Sequence, residues 1–446
     1  MARPLLRFPG GRGVVAAGEP SVAGAVAGVA KRSGRRRWRI CGLLFFITTL
    51  NYVDRQVLGV LAPELQRVIG WNEIQYGNIV TAFSAAYAIG LLTAGRFIDR
   101  MGTRVGYAIA IGAWSLATGS HALAATALGF GVCRFALGLS EAANFPAAIK
   151  TVAEWFPRKE RALATGIFNS GANVGAIVAP LAAPWIAVRL GWQWAFLFMG
   201  ALSILWVLPW LLIYHRPERR PSVSAAELAY IQSDAAESTA KIPWSRLLQY
   251  KETWAFMAAK FFTDPIWWFF LYWLPKFLNA RYGLTLTALG WPLVIVYNMS
   301  MVGSILAGWL PARLLRLGWD LNRARKTVML VCAVAVMPIV FAADASNLWV
   351  AVALVGLATA SHQGWSANLY TAMSDVFPRR AVGSVVGIAG FGGAIGNMAI
   401  ATFTGFVLQF THSYVPMFVI AGFAYLMALA VIQLLVPNLR PVEMET

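Results

Sequence analysis

The sequence predicts an all-α membrane protein in which twelve transmembrane helices form two pseudo-symmetric halves of six. Three observations support this fold class: few charged residues, long apolar runs, and a second half that repeats features of the first. Charged residues make up 13% of the 446 residues and apolar residues 59%, whereas a soluble domain is about a quarter charged. The mean hydropathy of +0.62 points the same way.

Apolar runs define the predicted spans, because a helix needs about 20 mostly apolar residues to cross a bilayer. They lie near 38–59, 75–95, 104–124, 127–149, 162–188, 192–213, 254–278, 287–311, 326–343, 347–371, 382–408 and 414–436. The predicted organisation is a six-helix bundle at 38–214, a cytoplasmic connecting loop at 215–252 with a short surface helix at 225–229, and a second six-helix bundle at 253–437. Cytoplasmic tails are expected at 1–37 and 438–446. The first tail is expected to be disordered, or to begin upstream of the true start, since no sustained apolar segment precedes a cleavage site.

The net charge of +18 comes from short Lys and Arg clusters between the apolar runs. They precede the first span, follow spans two, four, eight and ten, and recur in the connecting loop. The positive-inside rule then places both termini in the cytoplasm. A nucleic-acid-binding protein would need a binding module, and none of its signatures is present. Cys41, Cys133 and Cys332 lie in apolar runs, without the spacing of a metal site or a disulfide framework.

An internal repeat relates the two halves. Phe-Pro-Arg occurs at 156–158 and again at 377–379, and three glycines follow each copy in the same register. The pairs are Gly166 with Gly387, Gly171 with Gly392, and Gly175 with Gly396. Duplicated halves with a site between them are a recurrent plan of membrane transporters. The glycines are expected to allow close helix packing rather than to bind a ligand.

A motif between spans two and three has Gly95, Asp99, Arg100, Gly102 and Arg104 at fixed spacing. A solvated turn would explain these residue types but not their spacing. The motif resembles the Gly-x-x-x-Asp-Arg-x-Gly-x-Arg signature of the major facilitator superfamily. The resemblance implies the major facilitator fold, in which the Asp and Arg groups of this gating loop latch cytoplasmic helix ends together.

Four charged residues lie inside predicted spans, where each costs about 2.5 kcal/mol or more at the bilayer centre and so suggests function. Asp54 and Arg55 lie in span one, and Arg134 and Glu141 in span four. Arg134 and Glu141 are two turns apart and share a helix face. Arginine offers a carboxylate a permanently charged fork, and a poorly solvated acid can exchange a proton near neutral pH. Alternatively, the four charges only neutralise one another and hold the spans together.

Together with Tyr87 in span two, these charges resemble the anion:cation symporter family, which includes proton-coupled sugar-acid carriers and vesicular anion transporters. The resemblance implies that Arg134 binds the substrate carboxylate and that Arg55 assists binding and gating. It also implies that Tyr87 contacts the substrate and that Asp54 and Glu141 take up the coupling protons.

The second half narrows the resemblance to the hexuronate transporters, which carry glucuronate and galacturonate. Residues 260–269, 273–277 and 362–368 carry this likeness, and the whole resemblance covers 38–436. It implies further substrate-binding residues: Lys260, His362, Gln363, Trp365, Ser366 and Asn368. Polar side chains suit sugar hydroxyls, and tryptophan offers an apolar face to the ring. Two alternatives stay open: His362 only joins helices by a hydrogen bond, and Lys260 snorkels to the cytoplasmic interface.

The expected function is proton-coupled symport that imports a sugar acid, foremost a hexuronate, by alternating access between the halves. The expected partners are a small organic anion, protons and membrane lipids. The protein is expected to be a monomer of the bacterial inner membrane, with no cofactor, metal or nucleic acid. Alternatives are symport of another anion, such as galactonate, glucarate or phthalate, and a sensor that moves nothing. An enzyme is not expected, since His362 and Ser361 are adjacent in a helix and do not face each other.

Overall fold

The computed structural model describes residues 36–219, 223–233 and 243–442, and these ranges are largely helical. The helices are α1 (Arg36–Ile69), α2 (Glu73–Met101), α3 (Thr103–Ser120), α4 (Ala127–Glu141), α5 (Asn144–Trp155), α6 (Arg158–Leu190), α7 (Trp192–Ile213), α8 (Ala225–Ile231), α9 (Trp244–Leu247), α10 (Lys251–Tyr282), α11 (Gly290–Arg316), α12 (Leu321–Val336), α13 (Leu348–Val376), α14 (Arg379–Thr411) and α15 (Val415–Leu435). Of the predicted tails, 1–35 and 443–446 lie outside the described residues.

The long helices of the described ranges correspond to the twelve predicted spans. Helices α4 and α5 together form the fourth span, and α12 with the 3-10 turn Met337–Phe341 forms the ninth. Seven described segments are long and apolar enough to cross a membrane by length and composition: α2, Leu163–Leu190, α7, α11, Leu321–Phe341, Ala381–Thr411 and α15. Among the helices outside this set are α1, α4 and α10, which carry Asp54, Arg55, Arg134, Glu141 and Lys260.

The first span is longer than predicted. Helix α1 does not end near 59 but continues to Ile69. Leu61 and Leu65 are fully buried, so this extra segment is a packed helix rather than a loop. Charged residues interrupt the apolar run in this segment, and for that reason the sequence predicts the end of the span near 59.

The fourth span, predicted as one helix over 127–149, is broken. Helix α4 ends at Glu141, and α5 begins at Asn144. Pro146 has no N–H to donate to the carbonyl of Ala142, so the hydrogen-bond ladder is interrupted there. The break lies directly beside a candidate site residue.

Four of the six repeated glycines lie where an added Cβ would collide with a carbonyl oxygen of another helix: Gly171, Gly175, Gly392 and Gly396. The distances are 2.4 and 2.5 Å from α6 to α1, and 2.8 and 2.3 Å from α14 to α10. The same close crossing therefore recurs in each half. The third pair, Gly166 and Gly387, has no such contact. The predicted packing role is confirmed for two pairs and wrong for the third.

The connecting loop contains α8, close to the helix predicted at 225–229. Its Glu227 is buried and accepts hydrogen bonds from the backbone N–H groups of Arg36 and Arg37, at 3.2 and 3.4 Å. These N–H groups begin α1 and have no partner within the helix. The Tyr230 hydroxyl donates to Glu160 at 2.9 Å. The helix thus docks on the first half and caps α1.

The two halves meet at the helix ends remote from the basic loops. Lys276 of α10 forms an ion pair with Glu73 of α2 at 2.6 Å. The Tyr76 hydroxyl donates to the carbonyl of Tyr272 at 2.8 Å. A Cβ on Gly77 would lie 2.8 Å from a carbonyl of α14. These contacts, called the outer latch below, hold the halves together on that side.

Candidate functional site

The interior of the first half contains a buried ion pair between α1 and α4. The Arg55 Nε donates a hydrogen bond to Glu141 Oε2 at 3.0 Å, and Arg55 Nη2 lies 2.9 Å from the same oxygen as an ion pair. Both side chains are almost inaccessible to solvent, at 3% and 0% exposure. The sequence placed Glu141 on one helix face with Arg134, yet the structure pairs it with Arg55 across two helices.

Arg134 lies beside this pair and is 0% exposed. One of its nitrogens, Nη2, donates to the backbone carbonyl of Arg55 at 2.8 Å. Its Nε and Nη1 have no hydrogen-bond partner in the part of the chain that the structure describes. A buried donor without a partner costs about 1–3 kcal/mol. Nε and Nη1 lie on different edges of the guanidinium, and Nη2 belongs to both edges, so a carboxylate placed at either edge would engage one of the two unpartnered donors.

Asp54 has a different environment from Glu141. Its Oδ2 accepts a hydrogen bond from the hydroxyl of Ser203 in α7 at 2.8 Å. Its Oδ1 has no hydrogen-bond partner, and no ion pair to Asp54 is found among the described residues. The adjacent Arg55 is engaged by Glu141 instead. The two acids of the site therefore differ in charge compensation: one faces an arginine and the other faces a hydroxyl.

Aromatic rings surround the two arginines. The Arg55 guanidinium lies 4.8–5.4 Å from four described ring centroids, those of Tyr52, Phe83, Tyr87 and Trp268. The Arg134 guanidinium lies 5.3 and 5.5 Å from the rings of Phe83 and Tyr272. Trp268 and Tyr272 come from α10, so this aromatic cage is built by both halves. Each cation–π contact contributes about 0.5–2 kcal/mol.

Of the cage residues, sequence reasoning assigned a site role only to Tyr87. Trp268 and Tyr272 lie in the aromatic run of α10, four residues apart on one helix face. That spacing is the feature of the sequence that indicates two aromatic rings on the same side of α10. Phe83 precedes Tyr87 by the same interval in α2, and the two rings stack at 5.8 Å. Ser203 stands alone in an apolar helix, and nothing in the sequence marks it.

In the second half, His362 joins two helices. Its Nδ1 lies 2.6 Å from the Tyr425 hydroxyl of α15, and its ring stacks on Trp267 at 5.3 Å. Trp365 is fully buried with its ring edge-on to the ring of Tyr425, 5.6 Å away. The interhelical hydrogen bond, one of the two alternatives for His362, is therefore present.

The other predicted residues of α13 do not form one cluster. The Asn368 side chain accepts from Arg325 of α12 at 3.4 Å and donates to the carbonyl of Gly364 at 3.0 Å. Arg325 also forms an ion pair with Asp375 at 3.0 Å, so Asn368 belongs to a network at the basic end of this half. Two further candidates, Gln363 and Ser366, are half-buried.

Lys260 does not snorkel freely to an interface. It is 4% exposed, and its ammonium contacts Asp264 at 2.8 Å and the Tyr370 hydroxyl at 3.0 Å. Asp264, absent from the predicted site, is the acid that compensates this charge within the span.

The gating motif ties together helix ends of the first half. Asp99 forms an ion pair with Lys150 of α5 at 2.8 Å. Arg104 donates to the carbonyl of Leu211 in α7 at 2.5 Å. Gly102 has a φ of +76°, which favours glycine at this turn. Gly95 faces open space, and Arg100 is exposed at the end of α2.

Comparisons with known proteins agree with this architecture. The sequence profile of the Major Facilitator Superfamily matches residues 44–401. A hexuronate transporter of Escherichia coli (strain K12) is 32% identical over 413 residues, covering 91% of this chain and 95% of that protein. A D-galactonate transporter of Escherichia coli O6:H1 is 30% identical over 85% of this chain and 91% of that protein. The inward-open structure of the xylose transporter XylE from E. coli superposes with a TM-score of 0.70 at 15% identity, covering 90% of this chain and 96% of that one.

The two-half helical fold, the motif loop and the profile match over most of the chain all lead to one assignment. The solved structure supports the fold alone, whereas the curated relatives support the family over nearly the full length. The chain therefore belongs to the Major Facilitator Superfamily and is a multi-pass membrane transport protein, not an enzyme.

Proposed function

We propose that the protein is a proton-coupled symporter that imports a hexuronate, such as glucuronate or galacturonate. One observation carries this proposal: Arg134 is fully buried beside the boundary of the two halves and has two N–H groups without a hydrogen-bond partner among the described residues. A carboxylate at either edge of the guanidinium satisfies one of these donors, and the second N–H of Nη2 can complete a bidentate pair. The names of the hexuronate and D-galactonate transporters support a sugar acid as the source of that carboxylate.

The surroundings of Arg134 suit a sugar ring attached to the carboxylate. Phe83 and Tyr272 flank the guanidinium, and Trp268 extends the aromatic surface toward Arg55. Aromatic rings pack against the C–H face of a sugar, while hydroxyl-bearing side chains take its polar edge. Because the cage draws on both halves, rocking one half against the other opens and closes it.

Proton coupling follows from the ion pair of Arg55 and Glu141. While Glu141 is ionised, it holds Arg55 at 2.9 Å and competes with an incoming carboxylate. Protonation of Glu141 releases Arg55 to the substrate, so proton and substrate favour each other's binding by the same factor. Asp54, which faces the Ser203 hydroxyl, is the second proposed proton carrier.

The proposed setting is the bacterial inner membrane with both termini in the cytoplasm. The basic clusters between spans support this orientation through the positive-inside rule. In that orientation the outer latch lies on the periplasmic side. The structure then has the latch closed toward the periplasm, the side from which an importer takes its substrate.

Isothermal titration calorimetry on the purified protein tests the proposal. Wild type should bind glucuronate or galacturonate, Arg134→Ala should lose binding, and Arg134→Lys should recover little of it, because a point charge cannot bind bidentately. Arg325→Lys, at an arginine paired with Asp375 instead, is the matched control and should bind as wild type does. Wild-type affinity in Arg134→Ala would refute the assignment.

Galactonate is the second candidate substrate, favoured by the D-galactonate transporter among the relatives. It shares the carboxylate and hydroxyls of a hexuronate but has an open chain. Titrating galactonate against the same protein distinguishes the two. Tighter binding of galactonate than of either hexuronate would select this alternative.

A further inference from the structure

A second buried cation lies in the other half, and the mechanism above does not use it. The Lys260 ammonium contacts Asp264 at 2.8 Å and Tyr370 at 3.0 Å; these three residues are called the Lys260 group. Lys260, Asp264 and Trp268 follow one another at intervals of four, so they share one face of α10. Since Trp268 covers Arg55, the Lys260 group faces the same boundary as the proposed carboxylate site.

Tyr370 connects the Lys260 group to the first half. Its side chain interacts electrostatically with those of Tyr52 and Tyr87, whose rings cover Arg55. Tyr370 therefore links Lys260, by a hydrogen bond, to the electrostatic surroundings of Arg55. The two buried cationic positions lie on opposite sides of the boundary between the halves.

Asp264 is paired with Lys260 by charge and is also closely packed against α14. A Cβ on Gly393 of α14 would lie 2.4 Å from Asp264 Oδ2, so the absence of a side chain there makes room for the carboxylate. With a carboxylate at 2.8 Å, the ammonium offers little net attraction to a further anion, because the two opposite fields nearly cancel.

We propose that Asp264 restricts the substrate to acids with a single carboxylate. A hexuronate places its carboxylate at Arg134 and presents neutral hydroxyls to the second half. An aldarate, which has a carboxylate at each end, would bring a second anion to the Lys260 group, where Asp264 both blocks the ammonium and repels the anion. This inference rests on the proposed function and deepens it by naming the residue that selects the substrate class.

Glucuronate and glucarate are the probes, because they differ only in the oxidation of one terminal carbon. In calorimetric titrations, Asp264→Asn should bind glucarate about tenfold more tightly than wild type, since it unmasks a buried charge. Its glucuronate affinity should stay near the wild-type value. The matched control is Asp375→Asn, which removes an acid of similar exposure, 24% against 20%, paired with Arg325 at 3.0 Å. That variant should change neither affinity.

A double variant tests whether the gain acts through the lysine. Adding Lys260→Met to Asp264→Asn should return glucarate binding to the wild-type level while glucuronate binding persists. A gain that survives in the double variant overturns the proposal. Asp264→Ser, which also removes the charge, replaces Asp264→Asn if the latter does not purify as a folded protein, judged by retained glucuronate binding.

The outcomes separate this inference from the proposed function. Unchanged glucarate affinity in a folded Asp264 variant overturns the inference and leaves hexuronate transport standing. Equal wild-type affinity for glucarate and glucuronate also overturns it, although the protein would still be an organic-anion carrier. If wild type binds neither compound nor galactonate, the proposed function and the inference both fail.

Discussion

Replacing Glu141 by glutamine perturbs the central ion pair of the site. Glu141 is fully buried, accepts a hydrogen bond from Arg55 Nε at 3.0 Å, and lies 2.9 Å from Arg55 Nη2 in the ion pair. Removing one partner of a buried ion pair costs about 3–5 kcal/mol, because an uncompensated charge stays behind. The glutamine oxygen can still accept the hydrogen bond from Arg55 Nε, so we expect a loss near the lower end, about 3 kcal/mol.

The same substitution should strengthen substrate binding. In wild type the substrate carboxylate competes with Glu141 for Arg55, whereas in Glu141→Gln that competition is gone. Saturating ligand stabilises a folded protein by about 2.7 kcal/mol at one hundred times Kd, so the variant should gain more thermal stability from glucuronate than wild type gains. The gain should also depend less on pH, since Glu141 has been removed and Asp54 is the one proposed proton carrier that remains.

Thermal unfolding in detergent, with and without saturating glucuronate at several pH values, measures both effects. Glu154→Gln is the control, because Glu154 bonds to neutral hydroxyls of Thr103 and Tyr214 outside the aromatic cage. An unchanged Tm, together with a wild-type pH dependence of the ligand response, would contradict the competition between Glu141 and the substrate.

Three further predictions concern packing, the latch and the cage. Gly171→Val should destabilise the protein by about 1–3 kcal/mol through overpacking against α1, whereas Gly166→Ala should unfold at the wild-type temperature; equal unfolding temperatures would refute the packing role. Glu73→Gln removes the acid paired with Lys276 at 2.6 Å, so spin labels on the helix ends beside the outer latch should report longer distances between the halves, and an unchanged distribution would show that the latch contributes nothing. Trp268→Ala should weaken glucuronate binding about tenfold through lost ring contact, and calorimetry with unchanged affinity would remove Trp268 from the site.

Single-helix properties were largely predictable from the sequence. Hydrophobic run length placed the spans, and the expense of a charge in hydrocarbon marked Asp54, Arg55, Arg134 and Glu141. The spacing of the gating motif and the glycine register likewise depend only on positions along one helix. The extension of α1 to Ile69 was missed because burial against other helices decides whether a polar-flanked segment continues.

Contacts between helices were not predictable in the same way. Arg55 is adjacent to Asp54 in sequence, yet it pairs with Glu141 of α4, and only the packing of α1 on α4 determines that choice. The partner of Lys260, in contrast, is predictable from the sequence, because Asp264 follows at an interval of four, where opposite charges on a helix meet. That spacing alone indicates the pair of Lys260 and Asp264. Ser203 could be found only from the structure, since its role depends on the approach of α7 to α1.

Uptake in proteoliposomes tests proton-coupled hexuronate import most directly. Wild type should concentrate labelled glucuronate when a pH gradient is imposed, and should exchange it by counterflow without a gradient. Asp54→Asn and Glu141→Gln should keep counterflow exchange and lose accumulation at matched protein content, because each imitates a permanently protonated acid. If both variants still accumulate glucuronate on the pH gradient as wild type does, these acids are not the proton carriers and the coupling mechanism is wrong.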